Sequence, residues 1–200
     1  MIIGLDHITL NTNNLKKEII FYKKKKYKVF FKQNILNDKN KIDFLKIGSK
    51  FHKTVFLKKE GKNSIELTKY NKNNLKVKNL FFKNRVFTCY VKNLSREKEF
   101  LKKVFNFKIK KNYACLKTFS KDLSFKLKIK KTNSNYISYL DDLGYVGICL
   151  ISSNLEKIRK ISKKFSLVVS KKFVIKVNNK FIKICLIKSP NNLIYEIIEF

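Results

Sequence analysis

Tryptophan is absent from this 200-residue chain, proline occurs once and glycine five times. Of its 47 basic residues only three are arginine (Arg85, Arg96 and Arg159), and the other 44 are lysine. Proteins selected to grip nucleic acid favour arginine, whose planar fork makes bidentate contacts to phosphates and base edges. The shortage of arginine, with the lysines spread along the whole chain, therefore argues against nucleic-acid binding as the main role. No apolar run approaches the roughly 18 residues of a membrane helix. No charged-then-apolar signal follows Met1, so a cytoplasmic location is expected. No linker is long or low in complexity, which argues against disordered spacers. Cys89, Cys115, Cys149 and Cys185 stand singly in apolar runs without a C-x-x-C pair. That pattern suits buried thiols in a reducing compartment better than disulfides or a zinc site.

What the chain has in excess is lysine, asparagine and isoleucine, with a net charge of +33. Together with the missing tryptophan and scarce proline, this is the composition that an AT-rich coding bias produces. Non-specific binding to polyanions at low salt follows from the charge. A hydrophobic share of 44% and an aromatic share of 14% exclude a disordered chain. Two hundred residues are enough to bury a core as one domain or two small ones.

The chain is organised around residues 5–24. Leu5 to Leu10 alternates in polarity and is rich in β-formers, which predicts a strand. Alternation puts Ile8 and Leu10 on one face and Leu5, His7 and Thr9 on the other. Asn13 or Asn14 then caps a helix with Leu15, Ile19 and Tyr22 on its apolar side. If that helix packs on Ile8 and Leu10, His7 points into whatever the sheet curls around.

The same stretch recurs. Displaced by 79 residues, Asn14-Leu15 falls on Asn93-Leu94 and Phe21 on Phe100. Displaced by 140 residues, it falls on Tyr145–Lys164, with Ile148, Leu150, Asn154 and Leu155 in matching places. Short β-like runs follow each copy. The expected organisation is three βαβββ units at residues 1–75, 80–135 and 144–200, the second of them degenerate, with a polar linker over Asn71–Asn79. Helices are expected over 95–105, capped by Ser95, and over 155–164, and residues 33–50 as a loop or hairpin extension.

Two glutamates lie where strands should be apolar: Glu66 in Ser-Ile-Glu-Leu-Thr and Glu196 in Leu-Ile-Tyr-Glu-Ile-Ile. A buried carboxylate costs several kcal/mol unless it is paired or bound to a cation. Both belong to the last strand of their unit, and His7 to the first strand of unit one. An imidazole and two carboxylates converging on one concave sheet suit a divalent metal with open positions. The bland alternatives are a hydrogen-bonded core histidine and a salt bridge from Glu196 to a lysine. His52 reads as a rim residue that could touch a substrate, and Asp6 and Glu199 as solvated ends.

Asp6-His7-Ile8-Thr9-Leu10, Ser64-Ile65-Glu66-Leu67 and the ending Ser189-Pro190-Asn191-Asn192-Leu193-Ile194-Tyr195-Glu196 resemble the vicinal oxygen chelate superfamily. That group includes glyoxalase I, methylmalonyl-CoA epimerase, extradiol dioxygenases and fosfomycin and bleomycin resistance proteins. The resemblance implies an α+β fold in which βαβββ units pair into curled mixed β-sheets around a metal, with helices outside. It implies that His7, Glu66 and Glu196 hold a divalent ion (Zn, Mn, Fe, Co or Ni), with Glu66 or Glu196 also catalytic. The chain departs from the pattern at Gly147 and Val86, which stand where His7 has its counterparts. Unit two offers Lys126 or Lys128 in place of a glutamate. The function implied is a lyase or isomerase of the glyoxalase or epimerase type acting on a small-molecule substrate. The alternatives are a metal-free ligand-binding or sequestering protein of the resistance type, an extradiol-type dioxygenase, and a basic nucleic-acid binder. The units pair within one chain, or unit one pairs with its copy in a homodimer.

Overall fold

A computed structural model describes residues 1–70, 80–83, 86–116, 118, 124–134, 136–177 and 179–200. The linker expected over Asn71–Asn79 lies outside them. The first strand, β1 (Ile2–Asn11), leads into helix α1 (Leu15–Lys24), then β2 (Lys28–Leu36), β3 (Phe51–Lys58) and β4 (Ser64–Tyr70). The last part of the chain repeats this order: β10 (Gly144–Ser152), α3 (Leu155–Lys164), β11 (Phe173–Val177), β12 (Lys180–Lys188) and β13 (Ile194–Glu199). Between them lie β5 (Leu80–Lys83), β6 (Val86–Val91), α2 (Leu94–Lys103), β7 (Lys108–Lys110), β8 (Tyr113–Leu116) and β9 (Phe125–Lys131). Among the described residues no helix is long and apolar enough to cross a membrane.

The strands build two sheets. One has eight strands in the order β11-β12-β13-β10-β1-β4-β3-β2, the other five in the order β5-β6-β9-β8-β7. In the larger sheet β1 and β10 run antiparallel at the centre, each flanked by a parallel partner, β4 and β13. The first and last repeats therefore pair within one chain, so a second subunit is not needed to complete the sheet. The accumulated strand twist curls it until Gln33 Nε2 on edge strand β2 donates to the Lys176 carbonyl on the opposite edge, β11, at 2.8 Å.

All three helices begin on an asparagine whose side chain accepts a backbone N–H: Asn14 from Lys17, Asn93 from Arg96 and Asn154 from Lys157. The cap of α2 is thus Asn93, two residues ahead of the expected Ser95, because Asn93 holds the place of Asn14 in the repeat. Residues 33–50 are more ordered than the expected loop. The second strand continues to Leu36, and a short 3-10 helix, Lys39–Phe44, follows. Phe44 is buried, and the Asp141 carboxylate accepts from the Lys46 and Ile47 N–H groups at 2.8 and 2.7 Å.

The helices cover the convex face. Ile8, Ile65, Leu67, Ile148, Leu150 and Tyr195 lie under them in one continuous core that also takes in Phe87, Phe100 and Phe105 of the smaller sheet and its helix. Tyr195 stacks its ring against Phe100 and Phe105 at centroid distances of 5.6 and 5.0 Å. Full burial of each such side chain contributes about 1.5–3 kcal/mol, which joins the two sheets. A second, smaller core of Phe44, Tyr70, Cys149, Phe173 and Ile184 fills part of the concave side.

Candidate metal centre

The concave face is set by strand register. On β10 Cys149 stands directly opposite His7 of β1, and on β13 Glu196 stands beside Cys149. One row across the sheet is therefore Glu196, Cys149, His7 and Ser64; the next is Ile194, Gly147, Thr9 and Glu66. Side chains at matched positions of neighbouring strands share a face. His7, Glu66 and Glu196 all line one cavity of about 260 Å³, whose other walls include Phe31, Phe56, Ile182 and Ile184.

Alternation alone places Leu5 with His7, and the structure corrects this. The β1–β10 register shifts between Leu5 and His7, leaving Asp6 as an extra residue. Such a bulge reverses the alternation. Leu5 joins Ile8 in the convex core, while Asp6 turns into the cavity beside His7. Asp6 is consequently not a solvated end: its Oδ2 lies 2.6 Å from His7 Nδ1. Glu199 is engaged too, accepting the Leu155 N–H at the start of α3. His52 is also displaced from its expected place on the rim. It is buried, with Nδ1 2.7 Å from Asn37 Oδ1 and its ring stacked on Tyr70. Burial first, and the Lys41 charge second, bring its pKa down to about 3, so it is neutral.

His7 Nε2 faces Glu66 Oε2 at 3.3 Å, close enough for an ion pair but not aligned for a hydrogen bond. Glu66 Oε2 accepts instead from Thr9 Oγ1 at 3.0 Å. Burial alone would lower the His7 pKa; Cys149, Glu66 and Asp6 outweigh it and hold the imidazole well above its usual range. Burial alone would raise Glu66, but the His7 charge, with His52 and Lys41 behind it, brings it down to about 2. Glu196 moves the other way, raised by burial and then by the Glu66 charge. The two carboxyls thus hold different protonation states.

The donor set fits a metal ion. His7 is 6% exposed, its Nδ1 engaged by Asp6 and its Nε2 without a hydrogen-bond partner. That orients Nε2 as a ligand, with Asp6 as the outer carboxylate that metal-bound histidines ordinarily use. Two carboxylates in the same cavity complete a nitrogen–oxygen site for a borderline divalent cation. The grouping that sequence reasoning missed is Cys149 with His7 and Asp6, whose ligand atoms all lie within 4.8 Å of one another.

Two βαβββ units joined through their first strands, with a first-strand histidine and last-strand glutamates facing into one curled sheet, settle the architecture. The chain has the vicinal oxygen chelate fold. No protein-family model and no curated protein matches it in sequence. Solved structures with similar architecture include methylmalonyl-CoA epimerase from Mycobacterium tuberculosis (12% identity, TM-score 0.48, covering 99% of this chain and 88% of that one). Glyoxalase I from Zea mays is similar at 14% identity and TM-score 0.43, over 98% of this chain and 67% of that one. An integron cassette protein from the V. cholerae mobile metagenome is similar at 11% identity and TM-score 0.42, over 62% of this chain and 98% of its own. At these identities the likeness is one of fold. Within that vicinal oxygen chelate fold, Gly147 occupies the place opposite Thr9. A Cβ there would meet Thr9 Oγ1 at 3.6 Å and the Ile194 carbonyl at 3.9 Å, ordinary contact distances.

Proposed function

We propose that the chain is a small-molecule metalloenzyme, a lyase or isomerase of the glyoxalase or epimerase type. The observation that carries this reading is His7 Nε2: buried, without a hydrogen-bond partner, and facing Glu66 in a cavity that also holds Glu196. His7, Glu66 and Glu196 would hold a divalent ion (Zn, Mn, Fe, Co or Ni). When bound, such an ion supplies Lewis acidity toward two neighbouring oxygens of a substrate. Asp6 fixes the imidazole by accepting from Nδ1. Glu66 and Glu196 come from strands on opposite sides of the β1–β10 pair, the first ionised and the second inclined to keep its proton. That contrast suits one as general base and the other as general acid for moving a proton on a bound substrate. Phe31, Phe56, Ile182 and Ile184 exclude water, which strengthens both charges.

The test is the metal content of purified protein by elemental mass spectrometry, beside His7→Ala and Glu66→Ala, followed by a screen of α-keto and 2-hydroxy compounds. Near-stoichiometric metal lost in both variants supports the reading; a metal-free protein that stays so after reloading overturns it. A second reading, a metal-free protein that sequesters an apolar ligand, is favoured by Gly147 standing where a second first-strand donor would be. It predicts ligand binding that survives chelator treatment.

A further inference from the structure

Cys149 has no part in the ligand set His7, Glu66 and Glu196, yet it occupies the centre of that set. It lies between Glu196 and His7 in one cross-strand row, and both neighbours point to the same concave face. Its Sγ, a nitrogen of His7 and a carboxylate oxygen of Asp6 fall within 4.8 Å of one another. The thiol is fully buried in a second core that is otherwise mostly aliphatic and aromatic. Nothing there calls for a sulfur rather than a methyl group. The independent pointer is His7 Nε2, more than nine-tenths buried and lacking a hydrogen-bond partner. Gly147, two residues before Cys149 on the same strand and face, contributes no donor.

We infer that Cys149 is a metal ligand of this chain, supplying from β10 the donor that Gly147 does not. The inference rests on the metal reading above. It makes the site a nitrogen–sulfur–oxygen set: His7, Cys149 and the carboxylates of Glu66 and Glu196, with Asp6 as the positioning residue on Nδ1. Coordination forms a bond from Sγ to the metal and releases the thiol proton to solvent, with no change in oxidation state. A thiolate among the donors selects Zn²⁺ and Co²⁺, and Cd²⁺ as a soft analogue, over Mg²⁺ and Mn²⁺, which prefer oxygen. The lone sulfur in a mixed set also leaves the centre less closed than a structural Cys₄ site.

Two measurements decide it without using activity. X-ray absorption on the zinc-loaded full chain should show one sulfur at about 2.3 Å besides nitrogen and oxygen neighbours at about 2.0–2.1 Å. Co²⁺ titration should give a thiolate-to-cobalt charge-transfer band in the near ultraviolet. In Cys149→Ser that band should be lost, and zinc affinity should fall about 100-fold, at or beyond what loss of an outer-shell partner costs. Metal bound at one per chain with a sulfur-free first shell, or with the band unchanged in Cys149→Ser, overturns the role of Cys149 and leaves the metal reading standing. Absence of metal binding in the unsubstituted chain overturns both. The absorption measurement needs no variant, so misfolding of Cys149→Ser does not decide the outcome.

Discussion

Glu97 offers a quantitative check on the packing between the two sheets. It lies on α2, is 0% exposed, and its Oε2 accepts from Ser189 Oγ and Asn191 Nδ2, both at 2.8 Å, across the junction. Its Oε1 has no hydrogen-bond partner. Burial, only partly opposed by the Asn191 and Ser189 hydrogen bonds, raises its pKa from 4.5 to about 7. The folded state therefore binds the proton more tightly than the unfolded one. Below pH 4.5 the group is protonated in both states and contributes no difference. Between 4.5 and 7 the unfolded chain ionises first and stability falls; above 7 the loss is complete. At 1.36 kcal/mol per pKa unit, a shift of this size costs about 3 kcal/mol. Glu97→Gln keeps an oxygen for Ser189 and Asn191 and cannot ionise. Urea unfolding followed by circular dichroism at pH 4 and pH 8 should show the variant matching the parent at pH 4. At pH 8 it should be more stable by about 3 kcal/mol. A difference that does not change with pH, or a variant less stable than the parent at pH 8, would refute the reasoning.

Other perturbations address the site and the charge. Asp6→Asn removes the anion that fixes His7 Nδ1, so metal affinity measured by competition with a chromophoric chelator should drop about 10–100-fold with the circular dichroism spectrum unchanged; an unaltered affinity would exclude Asp6 as the positioning group. Gly147→His places an imidazole on the concave face from a position with ordinary contact distances, and zinc affinity should rise at least about tenfold, as an added imidazole ligand warrants; a fall would show that the side chain cannot reach the site. Binding to heparin or DNA should weaken about 1000-fold or more between 50 and 200 mM salt, and retention of tight binding would restore a nucleic-acid role.

Much of this architecture was legible in the sequence, and the misses have local causes. Alternation located β1, β4 and β6, and the run from Leu155 to Lys164 marked α3 to the residue, since its apolar positions recur with helical period. The same reading set Leu5 beside His7 because alternation assumes a regular strand. The bulge at Asp6 arises from pairing with β10, 140 residues away, and leaves no local trace. The cap on Asn93 was within reach: its alignment with Asn14 and Asn154 held the signal that Ser95 obscured. Leu80–Lys83 is too short to announce itself as a strand before it pairs with β6. The end of β2 carries Lys32, Gln33 and Asn34, polar residues that an edge strand tolerates and a local pattern reads as loop.

His7, Glu66 and Glu196 were found because each is a polar residue in an apolar strand, and the curl of the sheet brings all three to one cavity. Cys149 was passed over because a lone cysteine in an apolar run is ordinarily an inert core residue. Only the register, with Cys149 opposite His7 and beside Glu196, gives it another meaning. His52 shows the converse. Its polarity suggested a rim, while the 3-10 helix and the segment that Asp141 anchors bury it.

The most direct test of the central claim is the stoichiometry of metal binding after chelation and reloading. Isothermal titration with Zn²⁺ of the unsubstituted chain, His7→Ala and Glu66→Ala should show one site per chain in the first and none in the other two. A chain that binds no ion, or variants that bind as the unsubstituted chain does, would contradict the account.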